Sequence, residues 1–490
     1  MGLFKILERN FKKSPNKIAL IIDNKKYSYK EFFELTINTI NNLKKNNFKK
    51  KSIVIVIEDN SLAHILSIFA LSYLNSTMVP TGKYYSNNHL FQIAKITKIN
   101  GVIGNSKYCN YFRKKFHLKT YLCTNKTKGF PYFYDKNEEK LNLKKKIDTK
   151  KNFIITMSSG STAKPKPIVF TQNTKIIRFI LFKNLYKINK KDVIIVTCPI
   201  DHSLGMRILL LPLLIGATCV VMKKFLVSSY CNLIKSHNVT FSVLVANQIY
   251  DLIKEKKHFN DFYLKKGLVS ASAKLFENEK KKITKKKINL HEMYGATEVG
   301  TVTSINISKN KKFYKSVGKS YNKKINIKIL SDQNKFLPNN KSGEIVCKTP
   351  AKFKYYLNSK KLNDNAYYKG YFKTGDIGYL DKKKYLYFLS RKKNIIRRNG
   401  ITIYPEDIEN VILQNTNIKE VAAIGSETRK KTLIYLFVKK NLKIDEQCIK
   451  NIFLKKLSTF QIPNKIIFLK DLPKTNLGKI NKKKLANFIR

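Results

Sequence analysis

The chain has no tryptophan, and only 32 acidic residues stand against 97 lysines and arginines. Cysteine is scarce as well. The seven are Cys109, Cys123, Cys198, Cys219, Cys231, Cys347 and Cys448; they are odd in number, scattered, and form no CxxC pair. That argues against a disulfide framework or a zinc site and fits free thiols in a reducing compartment. Long apolar runs are missing too. The longest, Ile208 to Val221, is broken by Pro212 and Gly216; it is too short for a bilayer and suits a buried segment. The N-terminal stretch lacks the apolar centre and small-residue cleavage site of a secretory signal. Ile6 stands where a myristoylation signal wants Ser or Thr. These absences set the expectation of a cytoplasmic protein with no transmembrane segment.

The excess of positive charge, +65 net, suggests a nucleic acid or an anionic membrane as partner. The lysines are nevertheless spread along the whole chain, which is equally rich in Asn, Ile, Tyr and Phe. These residue types share AT-rich codons, so a biased genome accounts for the composition without a polyanion. A nucleic-acid binder concentrates its basic residues on one element. No specific nucleic-acid partner is expected, only nonspecific adhesion at low salt. Against so much lysine the few arginines carry information. Three of them, Arg391, Arg397 and Arg398, fall close together. Such a group suggests positions that need the planar guanidinium, although chance clustering gives the same pattern.

A chain of 490 residues that is 43% hydrophobic is long enough for two or three packed units. The first third alternates strand and helix patterns. KIALIID and KKYSYKEF read as a hairpin, residues 30–44 as a helix, SIVIVIED as a buried strand, 61–74 as an apolar helix and TKINGVIGN as a further strand. Alternation of this kind implies parallel α/β sheets. Residues 106–151 read as irregular, basic surface. Further strands are expected at 192–199, 217–222, 241–245 and 266–270, the first two flanking an apolar helix. From about Lys312 short strands with turns predict a β subdomain. After Ser390 a basic turn, a helix from Pro405, two strands and a helix near 445–457 predict a small α+β unit of about 100 residues.

Four motifs carry chemistry. Thr156-Met-Ser-Ser-Gly-Ser-Thr-Ala-Lys-Pro-Lys166 is a polar loop between two strands, offering N–H groups and hydroxyls to phosphate oxygens. It lacks P-loop spacing. In Tyr294-Gly-Ala-Thr-Glu298, Gly295 permits a tight turn, Thr297 can bond a phosphate and Glu298 can hold Mg2+. Thr374-Gly-Asp376, followed downstream by Arg391, pairs a carboxylate with a cation that can share the hydroxyls of a ribose. Pro473-Lys-Thr-Asn-Leu-Gly-Lys479 puts a lysine on a Gly-containing loop, able to neutralise two anions that approach each other. Each motif alone is also compatible with an ordinary polar loop, a solvated Glu, a turn Asp or a solvated Lys.

Their joint order is not ordinary. From PNKIAL and YSYKEF to GKINKKKL the chain resembles the adenylate-forming superfamily of acyl-CoA synthetases, nonribosomal peptide synthetase adenylation domains and beetle luciferases. The resemblance implies an α/β fold: a large N-terminal domain (residues 1–390) of α/β sheets plus a β subdomain, and a small mobile α+β C-terminal domain (391–490). It implies ATP phosphates on Ser158, Ser159, Gly160, Ser161, Thr162, Lys164 and Lys166. It assigns phosphate and Mg2+ to Thr297 and Glu298, the adenine and acyl surroundings to Tyr294, and ribose to Asp376 and Arg391. Lys393 matches a hinge and Lys479 the adenylating lysine. Arg397-Arg398-Asn399-Gly400 matches the loop that serves thiol transfer. Ala163 and Pro167 stand where the family usually has Gly. The implied activity is AMP-forming ligation of a carboxylic acid to coenzyme A, with transfer to a carrier-protein phosphopantetheine as the alternative.

The segment Pro199-Ile-Asp-His202-Ser-Leu-Gly205 resembles the PxxHxxG element of acyl- and aryl-CoA ligases, in which the His lines the acid and thiol sites. A packed histidine without catalytic weight is the competing reading. Asp201 sits one residue from the place where amino-acid-activating relatives hold an α-amine, so an amino acid stays open beside the favoured simple acid. Residues 270–274 and His291-Glu-Met-Tyr294 are bulkier than the glycine-rich versions common in the family, and Met293 can fill the pocket floor. A short- or medium-chain, or otherwise compact, acid is expected.

Overall fold

A computed structural model describes every residue except 138, 140, 142, 159–165, 274, 399–400, 428–431, 441–443, 476–477 and 490. Two large sheets face each other across a shared core. In the nine-stranded sheet, Gly267–Ala271, Phe241–Val245, Val193–Val196, Thr218–Val221 and Ile18–Ile22 run parallel to one another. The hairpin of Leu290–Ala296 with Gly300–Asn306 closes one side, and Lys25–Ser28 closes the other. The seven-stranded sheet is centred on Thr77–Thr81, Ile53–Ile57 and Gly101–Gly104, all parallel, with the antiparallel pair Asn152–Ser158 and Lys166–Thr171 beside them. The mixed α/β class expected from the strand–helix alternation is what the chain adopts.

The core between the sheets explains the apolar runs. Helices Leu62–Leu74 and Ser203–Ile215 are mostly apolar because they lie between the sheets, in one core with strand residues such as Val54, Ile154, Ile194 and Val243. Pro212 is accommodated inside the second helix, which ends at Gly216 in the left-handed region, φ 80°. The Gln172–Leu185 helix, which the sequence pattern did not single out, packs against Ser203–Ile215. The expectation of irregular structure over 106–151 fails in its first part. Ser106–Phe116 is a helix capped by the Asn105 side chain, and Tyr121–Cys123 extends the seven-stranded sheet. Its apolar positions, Cys109 and Phe112, bury one narrow stripe that the surrounding lysines mask in the sequence.

A smaller sheet, Asn326–Leu330, Gly343–Lys348, Tyr371–Leu380 and Tyr367–Tyr368, with Leu386–Arg391 paired to Tyr371–Leu380, carries the Asp376 motif. Beyond it, Val421–Glu427, Thr432–Lys439 and Lys465–Leu469 form a separate sheet covered by helices Pro405–Asn415 and Glu446–Lys456, with a core of its own. All seven cysteines are free thiols. Among the described residues, no helix is long and apolar enough to cross a membrane.

Candidate active site

Strand register brings the first pair together. Asp376 and Arg391 are direct cross-strand partners, so their side chains leave the sheet on the same face. Arg391 Nε lies 2.7 Å from Asp376 Oδ1, and Tyr294 donates its hydroxyl to Oδ2 at 2.8 Å. Thr374 braces the turn by accepting the Asp376 N–H at 3.1 Å and donating to the Ile345 carbonyl at 2.7 Å. Asp376 is only 2% exposed. Its Oδ1, although at ion-pair distance from Arg391, accepts no aligned hydrogen bond from any described group. Burial raises the carboxyl's pKa; Arg391, the Tyr294 hydroxyl and Lys479 oppose that rise. A buried carboxylate with one oxygen short of donors is chemically suited to a pair of ligand hydroxyls.

The Tyr294–Glu298 motif sits at the end of the hairpin between Leu290–Ala296 and Gly300–Asn306. Gly295 does not form the turn, which falls at 297–299. It is a strand residue beside an irregularity in register, and a Cβ there would come within 1.9 Å of the Gly300 carbonyl. Its requirement is close approach rather than turn geometry. The turn itself is fixed by Arg178, which the sequence offered only as one of the rare arginines. Its Nη2 donates to the carbonyls of Thr297 and Glu298, both at 2.9 Å, and its Nε to that of Ala351 at 2.8 Å. Tyr356 donates to Glu298 Oε1 at 2.8 Å. Oε2 has no bonded partner among the described residues, and no group of three metal-ligating side chains occurs among them. One carboxylate oxygen suits Mg2+, which commonly takes one or two protein carboxylates and completes its shell with water and substrate phosphates.

Lys479 comes from the opposite end of the chain. Thr475 and Lys479 close a tight loop, with Thr475 N–H donating to the Lys479 carbonyl at 2.7 Å, and Gly478 supplies the left-handed residue, φ 74°. Asn247 donates to the Gly478 carbonyl and ties this loop to the nine-stranded sheet's side of the molecule. Burial first, then Arg391, pushes the Lys479 ammonium down to about 8, and Asp376 counteracts. Lys479 and Asp376 therefore share one electrostatic environment although their segments are far apart in sequence.

Lys166 opens the strand after the polar loop, pairing with Ser158, and acts on Lys393 together with Arg391. Ser159, Gly160, Ser161, Thr162 and Lys164 lie outside the described residues, as do Asn399 and Gly400. Lys393 is exposed on a short turn of 3-10 helix. Of the clustered arginines, Arg397 reaches Asp332 at 3.5 Å, while Arg398 donates to the carbonyls of Phe460 and Ile462 at 3.1 and 3.2 Å.

His202 caps the Ser203–Ile215 helix, and Gly205 lets that helix sit against the Pro199 carbonyl, where a Cβ would approach within 2.1 Å. His202 Nε2 is 3.0 Å from the Tyr84 hydroxyl, which donates to Asp201. Sequence reasoning missed Tyr84; its only signal was a Tyr-Tyr pair just past a buried strand. Asp201 is buried and already engaged by that hydroxyl.

Two family models match the chain: "AMP-binding enzyme" over residues 7–357 and "AMP-binding enzyme C-terminal domain" over 407–479. Among curated relatives, the 2-succinylbenzoate–CoA ligase of Listeria innocua is 26% identical, the match covering 98% of each chain. The 4-coumarate–CoA ligase 3 of Arabidopsis thaliana is 23% identical over 96% of this chain and 88% of its own. Among solved structures, the Bacillus subtilis o-succinylbenzoate CoA synthetase with its acyl-adenylate intermediate superposes with a TM-score of 0.89 at 20% identity, covering 99% and 98%. ATP-bound MatB from Rhodopseudomonas palustris gives 0.89 at 21%, covering 100% and 99%. The structural likeness speaks for the fold.

Proposed function

From the premise that the chain belongs to the AMP-binding enzyme family, we infer that it is an ATP-dependent, AMP-forming acid–CoA ligase. It activates a carboxylic acid as an acyl-adenylate and then transfers the acyl group to coenzyme A. The observation that carries this reading is the meeting of Asp376, Arg391 and Lys479, a ribose-competent carboxylate–guanidinium pair beside a partly desolvated ammonium.

Each residue then has a task. Asp376 Oδ1 accepts the ribose hydroxyls, Arg391 donates to the same sugar, and Tyr294 holds the carboxylate's other oxygen and borders adenine and acyl group. Ser158 to Lys166 and Thr297 bind the phosphates. Glu298 would hold Mg2+, which neutralises triphosphate charge when bound. Lys479 bridges the two anions that must meet, the acid's carboxylate and the α-phosphate. A carboxylate oxygen attacks the α-phosphorus, the bond to the bridging oxygen breaks, and pyrophosphate leaves. In the second step the coenzyme A sulfur attacks the acyl carbon and AMP departs. His202, beside Tyr84 and Asp201, borders the thiol's approach.

Both steps use one site, so Lys479 must leave before the thiol arrives. Residues 391–490 move as the smaller of two domains about Lys393, carrying the Asn399–Gly400 loop inward. The Asn247 bond to Gly478 is one of the contacts that such a motion breaks. The acid is compact and lacks an α-amine, since Asp201 is taken by Tyr84. The setting is cytoplasmic, in keeping with seven free thiols. The test is ATP–pyrophosphate exchange across a panel of carboxylic and amino acids. Exchange with one acid class that disappears in Lys479→Ala supports the reading; exchange that persists in that variant contradicts it.

A further inference from the structure

The segment that carries Asp376 interrupts the ladder it belongs to. Glu344 pairs with Ile377 and Val346 with Lys373, so a single residue, Ile345, faces three: Thr374, Gly375 and Asp376. A bulge of this kind re-aims a side chain and leaves backbone groups without ladder partners. Here side chains take them up. The Asp376 N–H goes to Thr374 Oγ1, and the Gly375 N–H to Glu344 Oε1 at 3.1 Å. Gly375 is left-handed, φ 69°, and no described atom would stand within 4 Å of a Cβ there. Packing on that side does not hold the bulge; the Glu344 bond does. Glu344 is itself buried, and its second oxygen is also engaged. Oε2 accepts from Lys392 Nζ at 3.2 Å, and the same ammonium lies 3.0 Å from Asp332 Oδ1. Burial lowers the Lys392 pKa, and the hydrogen bonds to Asp332 and Glu344 more than reverse it. Lys392 opens the short 3-10 turn Lys392–Asn394, between Arg391, which faces Asp376, and Lys393.

We propose that Glu344 is a positioning residue with two tasks: Oε1 fixes the bulge that presents Asp376 to the ribose, and Oε2 fixes Lys392 and with it the turn about which the small domain rotates. This rests on the ligase reading, which supplies both the ribose and the rotation. Both oxygens are spent on the protein, so Glu344 acts through Asp376 and Lys393. The two tasks are chemically separable. Gly375 needs only an acceptor, which an amide supplies as well as a carboxylate, whereas Lys392 needs negative charge. Past the turn, Arg397 reaches Asp332 at 3.5 Å, but both side chains are largely exposed, and such a pair contributes little. The anchoring therefore falls on the buried carboxylate. Loosening Lys392 slows adenylation, for which the small domain must present Lys479, and leaves nucleotide binding intact.

The test compares Glu344→Gln, Glu344→Ala and Lys392→Met with the wild type. Calorimetric AMP affinity needs no turnover, and ATP–pyrophosphate exchange with an accepted acid reports adenylation. Glu344→Ala should weaken AMP at least about 10-fold and slow exchange as well. Glu344→Gln and Lys392→Met should keep AMP affinity within about 3-fold while the kcat for exchange falls about 5-fold, and Lys392→Arg should restore it. A glutamate that only steadied the sheet would move affinity and rate together, so the split in Glu344→Gln decides the matter even where Glu344→Ala fails to fold. AMP affinity unchanged in a folded Glu344→Ala, or affinity and rate falling together in Glu344→Gln, would overturn the proposal, and wild-type exchange would leave the ligase standing. A wild type that binds AMP yet exchanges pyrophosphate with no acid would sink the ligase; the AMP affinity of Glu344→Ala then upholds or overturns Glu344's hold on the bulge by itself.

Discussion

Buried cations lie on both sides of one strand, Leu290–Ala296, and they are held differently. On one face Lys280 is ion-paired with Glu292, both almost fully buried, and it also donates to the Tyr314 carbonyl at 2.5 Å. On the other, Arg207 donates to Thr301, which reaches Met293, and forms no salt bridge with a described carboxylate. A paired buried charge belongs to the fold, because removing either member strands the other. A cation held by neutral groups leaves no opposite charge behind when it is removed. The same strand therefore separates a buried cation that meets a carboxylate from one that meets a neutral hydroxyl.

The comparison is broken or sharpened most strongly at Lys280. Lys280→Met should cost roughly 3–5 kcal/mol of stability, since Glu292 loses the cation of its buried ion pair; denaturant midpoints measure it. Arg207→Met loses one hydrogen bond to Thr301 but strands no carboxylate, so it should cost about 1 kcal/mol, and a loss as large as that of Lys280→Met would erase the distinction. Next in size, Lys479→Ala should slow adenylation about 10²–10³-fold, some 3–4 kcal/mol of barrier. Its stability should fall far less than that of Lys280→Met, as pyrophosphate exchange and melting on one preparation would show. Smaller again, Tyr294→Phe removes one hydrogen bond from Asp376 and should raise the KM for ATP by about 5-fold, near 1 kcal/mol. The mildest effect concerns pH. Burial pushes the Lys479 ammonium down to about 8, and it acts as a cation. The kcat/KM for adenylation should therefore fall as pH rises through about 8, and Lys479→Ala should lack that limb.

Much of the fold was legible because it follows from periodicity. Alternating buried strands and helices at 53–57, 62–74, 193–196 and 203–215 stand out even in a lysine-rich background. Residues 106–116 did not, because only two positions of that helix are buried. The site was readable as short motifs but not as contacts. Nothing in the sequence says that Tyr356 reaches Glu298, that Tyr84 joins Asp201 to His202, or that Asn247 holds Gly478. Lys392 was hidden among many lysines. Arg178 and Arg207 did carry a signal that went unused. Each is a rare arginine set within an apolar helix, TKIIRFILF and SLGMRILLL, where a cation has to be explained by what it meets.

The central claim is tested most directly by the products of a single complete reaction. With ATP, Mg2+, an accepted acid and free coenzyme A, the enzyme should release AMP and pyrophosphate in step with acyl-CoA, one for one. Acyl-adenylate and pyrophosphate forming without acyl-CoA, while a carrier-protein phosphopantetheine accepts the acyl group, would contradict coenzyme A as the thiol; ADP in place of AMP would contradict the adenylate altogether.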